Sequence, residues 1–295
     1  MWPLKPYVER VFQEFLVPDG VPPYDFRQPP GEAAVVPADS VSWRVFRNPI
    51  TLFIGGVAAV LMELAEPRVC HGVWTHSSFR TDPKARLQRT GLAAMISVYG
   101  AESSARRMIA GVQRRHGVVT GEVDGVRYTA NDVELLNWVN LTASYGFLSA
   151  YDAYAKNVDL ADQDKFFSEA ARVGEPYGAS GLPLTREGAD RYLTAMSDQL
   201  RPSPAIHEFL ALMRTTRILP VLSGVLQPML IQAAIDIVPD HIRQRIDIGE
   251  ATLSSVQRAA VRQIAVFASD LVVEAAPSVQ ACQRLNLPAD YLYRR

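Results

Sequence analysis

Between Ile50 and Met62 the chain carries no charged side chain, and apolar residues fall on every side of the helix this segment would form. The run is too short to cross a bilayer, which takes about 20 apolar residues. A helix without a polar face has to be buried on all sides. The run through Glu66 is therefore expected to be a central helix around which the remaining elements pack. A second uncharged stretch, Ile218 to Ile235, carries Pro220, Pro228, Gln227 and Gln232 and reads as two buried helix pieces. Contact with a membrane surface is compatible with this pattern; a membrane span is not expected.

The remaining periodicity is helical almost throughout. Apolar spacings of one, three and four predict an amphipathic helix over residues 7–17. A segment rich in proline and glycine, Pro18 to Pro37, follows and is expected to wrap over the surface. Asp82-Pro83 predicts a helix start, with Asp82 as N-cap, and Gly100 a stop. A helix from about Ala101 to His116 closes at Gly117. Residues 118–130, with Gly121, Gly125 and Tyr128, form a short hairpin or loop. A long helix capped by Asn131 or Asp132 passes through Trp138 to Leu148, and further helices are expected near 160–175, 186–200, 204–217, 221–237 and 253–275. The fold class read from this pattern is all-α, a single multi-helix domain.

The formal net charge of −1 gives no general attraction to nucleic acid. Two cysteines far apart in sequence, Cys70 and Cys282, are expected to be free thiols in a reducing cytoplasm. The N-terminal residues show no secretion signal, so a cytoplasmic location is expected. Only four lysines occur (Lys5, Lys84, Lys156 and Lys165) against many arginines, a bias typical of GC-rich bacterial genomes. No phosphate-binding glycine loop, Gly-x-Ser-x-Gly elbow or paired Glu-x-x-His motif is present.

Candidate chemistry concentrates in residues 71–117, which hold three of the five histidines. Arg86, Arg89 and Thr90 share about one turn of the helix that begins at Pro83. Two guanidiniums and a hydroxyl suit carboxylates or developing negative charge; they equally suit a solvated basic face. His116 follows Ile109 and Val112 on the same face, where a neutral imidazole is able to ligate iron. As a cation it would instead complement the helix dipole beside Arg114 and Arg115. His76, expected in a turn between two helices, is open to three readings: ligand, proton shuttle or structural histidine. His71, next to Cys70, is discounted as half of a metal pair, because adjacent helical residues do not face each other. Tyr128 and Thr142 offer hydroxyls that either bind a cofactor or tie loops to the core.

The order of several segments resembles the oxygenase family that includes the latex-clearing rubber oxygenases and the oxygenase of the mycophenolic-acid pathway. The matching pieces are Leu64-Ala65-Glu66-Pro67, Gly72-Val73-Trp74-Thr75-His76-Ser77-Ser78-Phe79, Asp82-Pro83, Arg86-x-x-x-Thr90, Tyr99-Gly100, Arg115-His116, Tyr128-x-Ala130-Asn131-Asp132 and Leu136-x-Trp138-Val139-x-x-Thr142. The resemblance covers roughly residues 50–200. It implies a partly globin-like, all-α fold binding haem b, with His116 as the iron ligand. Arg86, Arg89 and Thr90 would be the polar cluster beside the haem, with His76 on the oxygen-binding face and Tyr128 and Thr142 at the cofactor. It divides the chain into an N-terminal helix and wrapping extension, 1–49, and an oxygenase-like domain, 50–295, within one domain overall.

The substrates implied are dioxygen and an apolar molecule of isoprenoid or lipid type. Without a secretion signal, an extracellular polymer is not the expected substrate. A haem enzyme using peroxide, or a non-catalytic helical protein that binds a lipid or isoprenoid, are the alternatives. The chain departs from the family pattern at Glu66 and Asn140, where many relatives have histidine, and at Arg89, where rubber oxygenases have lysine. Arginine stays protonated and has no lone pair for iron. The family's catalytic glutamate has two candidates, Glu63 and Glu66.

Overall fold

The computed structural model describes residues 23–218, 224, 226–249 and 253–294. The helix expected over 7–17 and the first part of the one expected over 221–237 lie outside them. Among the described residues the fold is all-α, with thirteen α-helices and one two-stranded antiparallel sheet. The uncharged run becomes α2 (Pro49–Glu63), preceded by the short α1 (Val41–Val45). Then come α3 (Pro67–His76), α4 (Pro83–Tyr99), α5 (Glu102–His116), β1 (Thr120–Val123), β2 (Val126–Thr129) and α6 (Val133–Tyr154). α7 (Leu160–Gly174), α8 (Arg186–Met196), α9 (Pro204–Thr215), α10 (Leu226–Ile237), α11 (Asp240–Arg245), α12 (Ser255–Ser269) and α13 (Pro277–Arg284) complete the chain.

α2 is the centre of the molecule, as its composition requires. It packs against α6, α10 and α12, and eleven of its fifteen residues are buried. α2 and α6 cross with backbone in contact at a pair of glycines. A Cβ on Gly55 would stand 2.7 Å from Phe147 Cα, and one on Gly146 would stand 2.5 Å from the Gly55 carbonyl oxygen. Real Cβ atoms do not approach so closely, so both positions exclude any larger residue. The α2 N-terminus is fixed by the buried Asn48. Its side-chain oxygen accepts from Ile50 N and Thr51 N, and its amide donates to Ala265 O and Ser269 Oγ of α12, both at 2.7 Å. Near the other end, Trp138 Nε1 of α6 donates to Met62 O at 3.2 Å.

Four elements differ from the sequence expectation, the short α11 among them. His76 is not in a turn: it is the last residue of α3, which starts because Glu66 Oε2 accepts from Val69 N at 2.7 Å and Pro67 occupies the first turn. α1 was not expected from five residues of sequence. It forms because the buried Glu169 carboxylate of α7 receives Val41 N, Ser42 N and the Ser42 hydroxyl. α13 anchors the proline-rich extension, with Arg284 donating to Phe26 O at 2.7 Å and Glu32 O at 2.8 Å. The expected hairpin is present and turns at Asp124-Gly125, both with positive φ, as a tight two-residue turn requires.

The glycine crossing yields a contrast between neighbours. Gly55→Ala and Gly146→Ala should each cost about 3 kcal/mol or more, since the clash is with backbone that no rotamer change relieves. At Gly56 a Cβ would meet only the Phe147 ring edge at 3.8 Å. Gly56→Ala should therefore be neutral or stabilising by up to about 1 kcal/mol. Urea denaturation of the three variants checks the order.

Candidate functional site

Three helix ends bring the candidate residues together. α2 ends at Glu63, and the chain bends by 110° into α3. α4 starts behind Asp82, whose carboxylate accepts from Ala85 N at 3.2 Å, and this places Arg86 in its first turns. α5 runs back alongside α4 and ends at His116. Its end is held by Val119 N to His116 O at 3.0 Å and by the Asn131 side-chain amide to Gln113 O at 3.0 Å.

Glu63, Arg86 and His116 are each half-buried and enclosed by these helices. Burial pushes the Glu63 carboxyl up to about 7, and the Arg86 cation only partly offsets it. No hydrogen bond reaches that carboxyl from the described residues. Burial also pulls Arg86 below the ordinary guanidinium value, with Glu63 opposing and Arg89 reinforcing the effect; it stays cationic. His116 lies below the usual histidine value, first through burial and then through the Arg86 and Arg115 cations. Its imidazole is therefore neutral at neutral pH, and its Nδ1 is buried without a hydrogen-bond partner.

The other sequence candidates fall around this core. Arg86 donates to the Thr90 hydroxyl one turn on, so these two form a pair as their spacing implied. Arg89 turns away to donate to Ser78 Oγ at 2.6 Å on an exposed face. Tyr128 is buried, and burial followed by the Glu66 and Cys70 charges raises its phenol. Its hydroxyl is engaged by His71 Nδ1 at 2.7 Å. The pair fits because Gly121 has no side chain: a Cβ there would meet Tyr128 Oη at 2.8 Å and His71 Nδ1 at 2.9 Å. His76 is exposed, with its ring centroid 6.2 Å from that of His71. The Thr142 hydroxyl is fully buried and donates within its own helix, to Trp138 O and Val139 O.

Of the two glutamate candidates, Glu66 is committed to structure. It caps α3 and receives Arg68 Nε at 2.7 Å. Glu63 remains, a carboxyl at the end of an apolar helix with no cation three or four residues away in sequence. Glu66 is as free of cations at those spacings, so only its cap and its Arg68 partner, seen in the structure, separate the two. His71 is the other residue that sequence reasoning set aside; its partner is 57 positions away and visible only once the hairpin packs on α3.

No three His, Cys, Asp or Glu residues among those described converge on a metal site. Haem needs one nitrogen donor rather than a cluster, and a neutral imidazole with a buried, unpartnered nitrogen beside a buried cation fits that requirement.

Residues 43–269 match the family described as ER-bound oxygenase mpaB/B′/Rubber oxygenase, catalytic domain. The chain belongs to this family. No curated protein and no solved structure matches it significantly. Membership makes the chain an oxygenase, an oxidoreductase whose reactants are dioxygen and a substrate. The match spans α2 to α12, so Glu63, Arg86 and His116 all lie inside the catalytic domain.

The raised Glu63 carboxyl makes stability depend on pH in a definite direction. The unfolded state loses this proton near 4.5, while the folded state keeps it up to about 7. Stability should therefore fall as pH rises between these values and level off above them, by up to about 3 kcal/mol. Glu63→Gln should be more stable than wild type at pH 8, with the difference gone below pH 4.5. Urea titrations of cofactor-free protein at several pH values measure it; an equal difference at all pH values would show that Glu63 ionises normally.

Proposed function

We propose that the protein is a haem b-dependent oxygenase acting on an apolar small molecule of isoprenoid or lipid type. The observation that carries this reading is the His116 imidazole: neutral, enclosed, and with a buried nitrogen that no protein group satisfies. His116 would hold the iron. Haem, when bound, supplies an iron that takes up and activates dioxygen.

The chain's own residues supply the rest. Arg86 is a cation held in a low-dielectric site, where it stabilises a haem carboxylate or negative charge that develops during the reaction. Its bond to Thr90 and its position over the Phe79 ring, 5.7 Å away, fix its direction. Glu63, with a carboxyl near 7, is able to hold or release a proton at neutral pH, as general acid–base chemistry requires. Arg89, engaged with Ser78, has no lone pair and would not serve as an iron ligand. An apolar substrate is what the oxygenase family supports.

The test is spectroscopic and then catalytic. Protein expressed with ample haem should be red with a Soret band, and should consume dioxygen with an apolar alkene but not with hydrogen peroxide alone. Glu63→Gln should keep the Soret band and lower turnover about 100-fold or more. A colourless wild-type protein would leave a non-catalytic apolar-ligand carrier. Turnover with peroxide in the absence of dioxygen would replace the oxygenase by a peroxide-using enzyme.

A further inference from the structure

The outer face of α12 is apolar. Its buried side is Val261, Ala265 and Ser269. At about 100° per residue, the opposite side carries Val256, Ala259, Ala260, Gln263, Val266 and Phe267, of which Gln263 alone is polar. Val256 is 77% exposed and Phe267 51%, and Val272 just past the helix is exposed as well. A surface helix normally turns polar residues to water. α12 instead presents apolar residues on both sides. The other exposed large apolar residues, such as Val118, Leu160 and Leu184, are scattered over other elements, as is ordinary on a protein surface.

The start of the described chain is tied to the segment that follows α12. Phe26 N donates to Gln280 Oε1 of α13 at 3.1 Å, and Gln280 Nε2 donates to Ala275 O at 3.3 Å. Residues 7–17, ahead of this point, lie outside the described residues. Their sequence spacing puts Tyr7, Val8, Val11, Phe12, Phe15 and Leu16 on one side of a helix, with Glu9 and Glu14 at its edges. Isolated helices shorter than about 12–15 residues are marginal in water, so this one needs a surface to pack on. The chain from Val17 to Phe26 spans up to about 30 Å, which brings the C-terminal end of α12 within its reach.

We propose that residues 7–17 bind as a helix along the outer face of α12, parallel to it, with Leu16 towards Phe267 and Tyr7 towards Val256. The two apolar stripes match in length, each about 15 Å at a rise of about 1.5 Å per residue. Their edges match in charge: the exposed Arg262 borders the α12 stripe, and Glu9 and Glu14 border that of the segment. A short tether also gives the segment an effective concentration on the order of millimolar, which favours it over a separate molecule. The docked helix covers the outside of α12, whose inner side holds Asn48 at the α2 N-terminus through Ala265 and Ser269.

Hydrogen–deuterium exchange of the full chain, read by mass spectrometry, tests this docking. Amides of residues 11–17 should exchange at least about tenfold more slowly than in a free peptide of the same sequence. Val256→Asp and Val266→Asp, both at exposed positions, should each speed that exchange at least about fivefold, while α2 exchanges as in wild type. Phe12→Asp should do the same from the other side of the contact. Leu160→Asp, exposed on α7, is the control and should change nothing. Exchange of residues 11–17 at the peptide's rate, or protection that survives both α12 substitutions, would overturn the proposal. Protection that rises with protein concentration alongside a dimer mass would also overturn it, by giving the face to a second copy. So would protection that appears only with vesicles of phosphatidylcholine and phosphatidylserine, which would give the face to a membrane surface.

Discussion

The backbone contact between α2 and α6 at Gly55 and Gly146 is the constraint on which the other elements depend. An apolar helix with no polar face is stable only when neighbours cover it, and two glycines let the longest helix of the described chain lie directly against it. Everything that follows in space is referred to that pair. Asn48 binds the α2 N-terminus to α12, and Trp138 holds the α2 carbonyl that precedes Glu63.

The same packing gives the site its electrostatics. A carboxyl, a guanidinium and an imidazole arrive on the ends of three different helices, and the carboxyl and the imidazole Nδ1 have no hydrogen-bond partner among the described residues. Burial raises the carboxyl to about 7, lowers the imidazole and leaves the guanidinium charged. Perturbed groups of this kind concentrate where a protein binds or transforms a ligand. The residues that do find partners nearby, Glu66 at the α3 cap and Tyr128 on His71, frame the site and keep its helices in register.

Much of this was legible in the sequence. The all-α class, the central helix, the Asp82-Pro83 start and the Arg86–Thr90 pair follow from local rules of periodicity, capping and i,i+4 spacing. The glycine crossing, the clasp of Glu169 on α1 and the His71–Tyr128 pair join residues 57 or more positions apart, and no local rule exposes them. His76 was expected in a turn because Ser77 and Ser78 follow it; the Glu66 cap upstream decided for helix instead. The choice between Glu63 and Glu66 needed the structure, since capping and isolation differ by only three positions along the chain.

The central claim is that His116 is the nitrogen that holds the cofactor. Resonance Raman spectroscopy of the ferrous protein tests it most directly, through the iron–histidine stretching band. Wild type should show the band, His116→Gly should lose it, and added imidazole should restore it by filling the space left by the side chain. Persistence of the band in His116→Gly without imidazole would contradict the claim and assign the iron to another histidine.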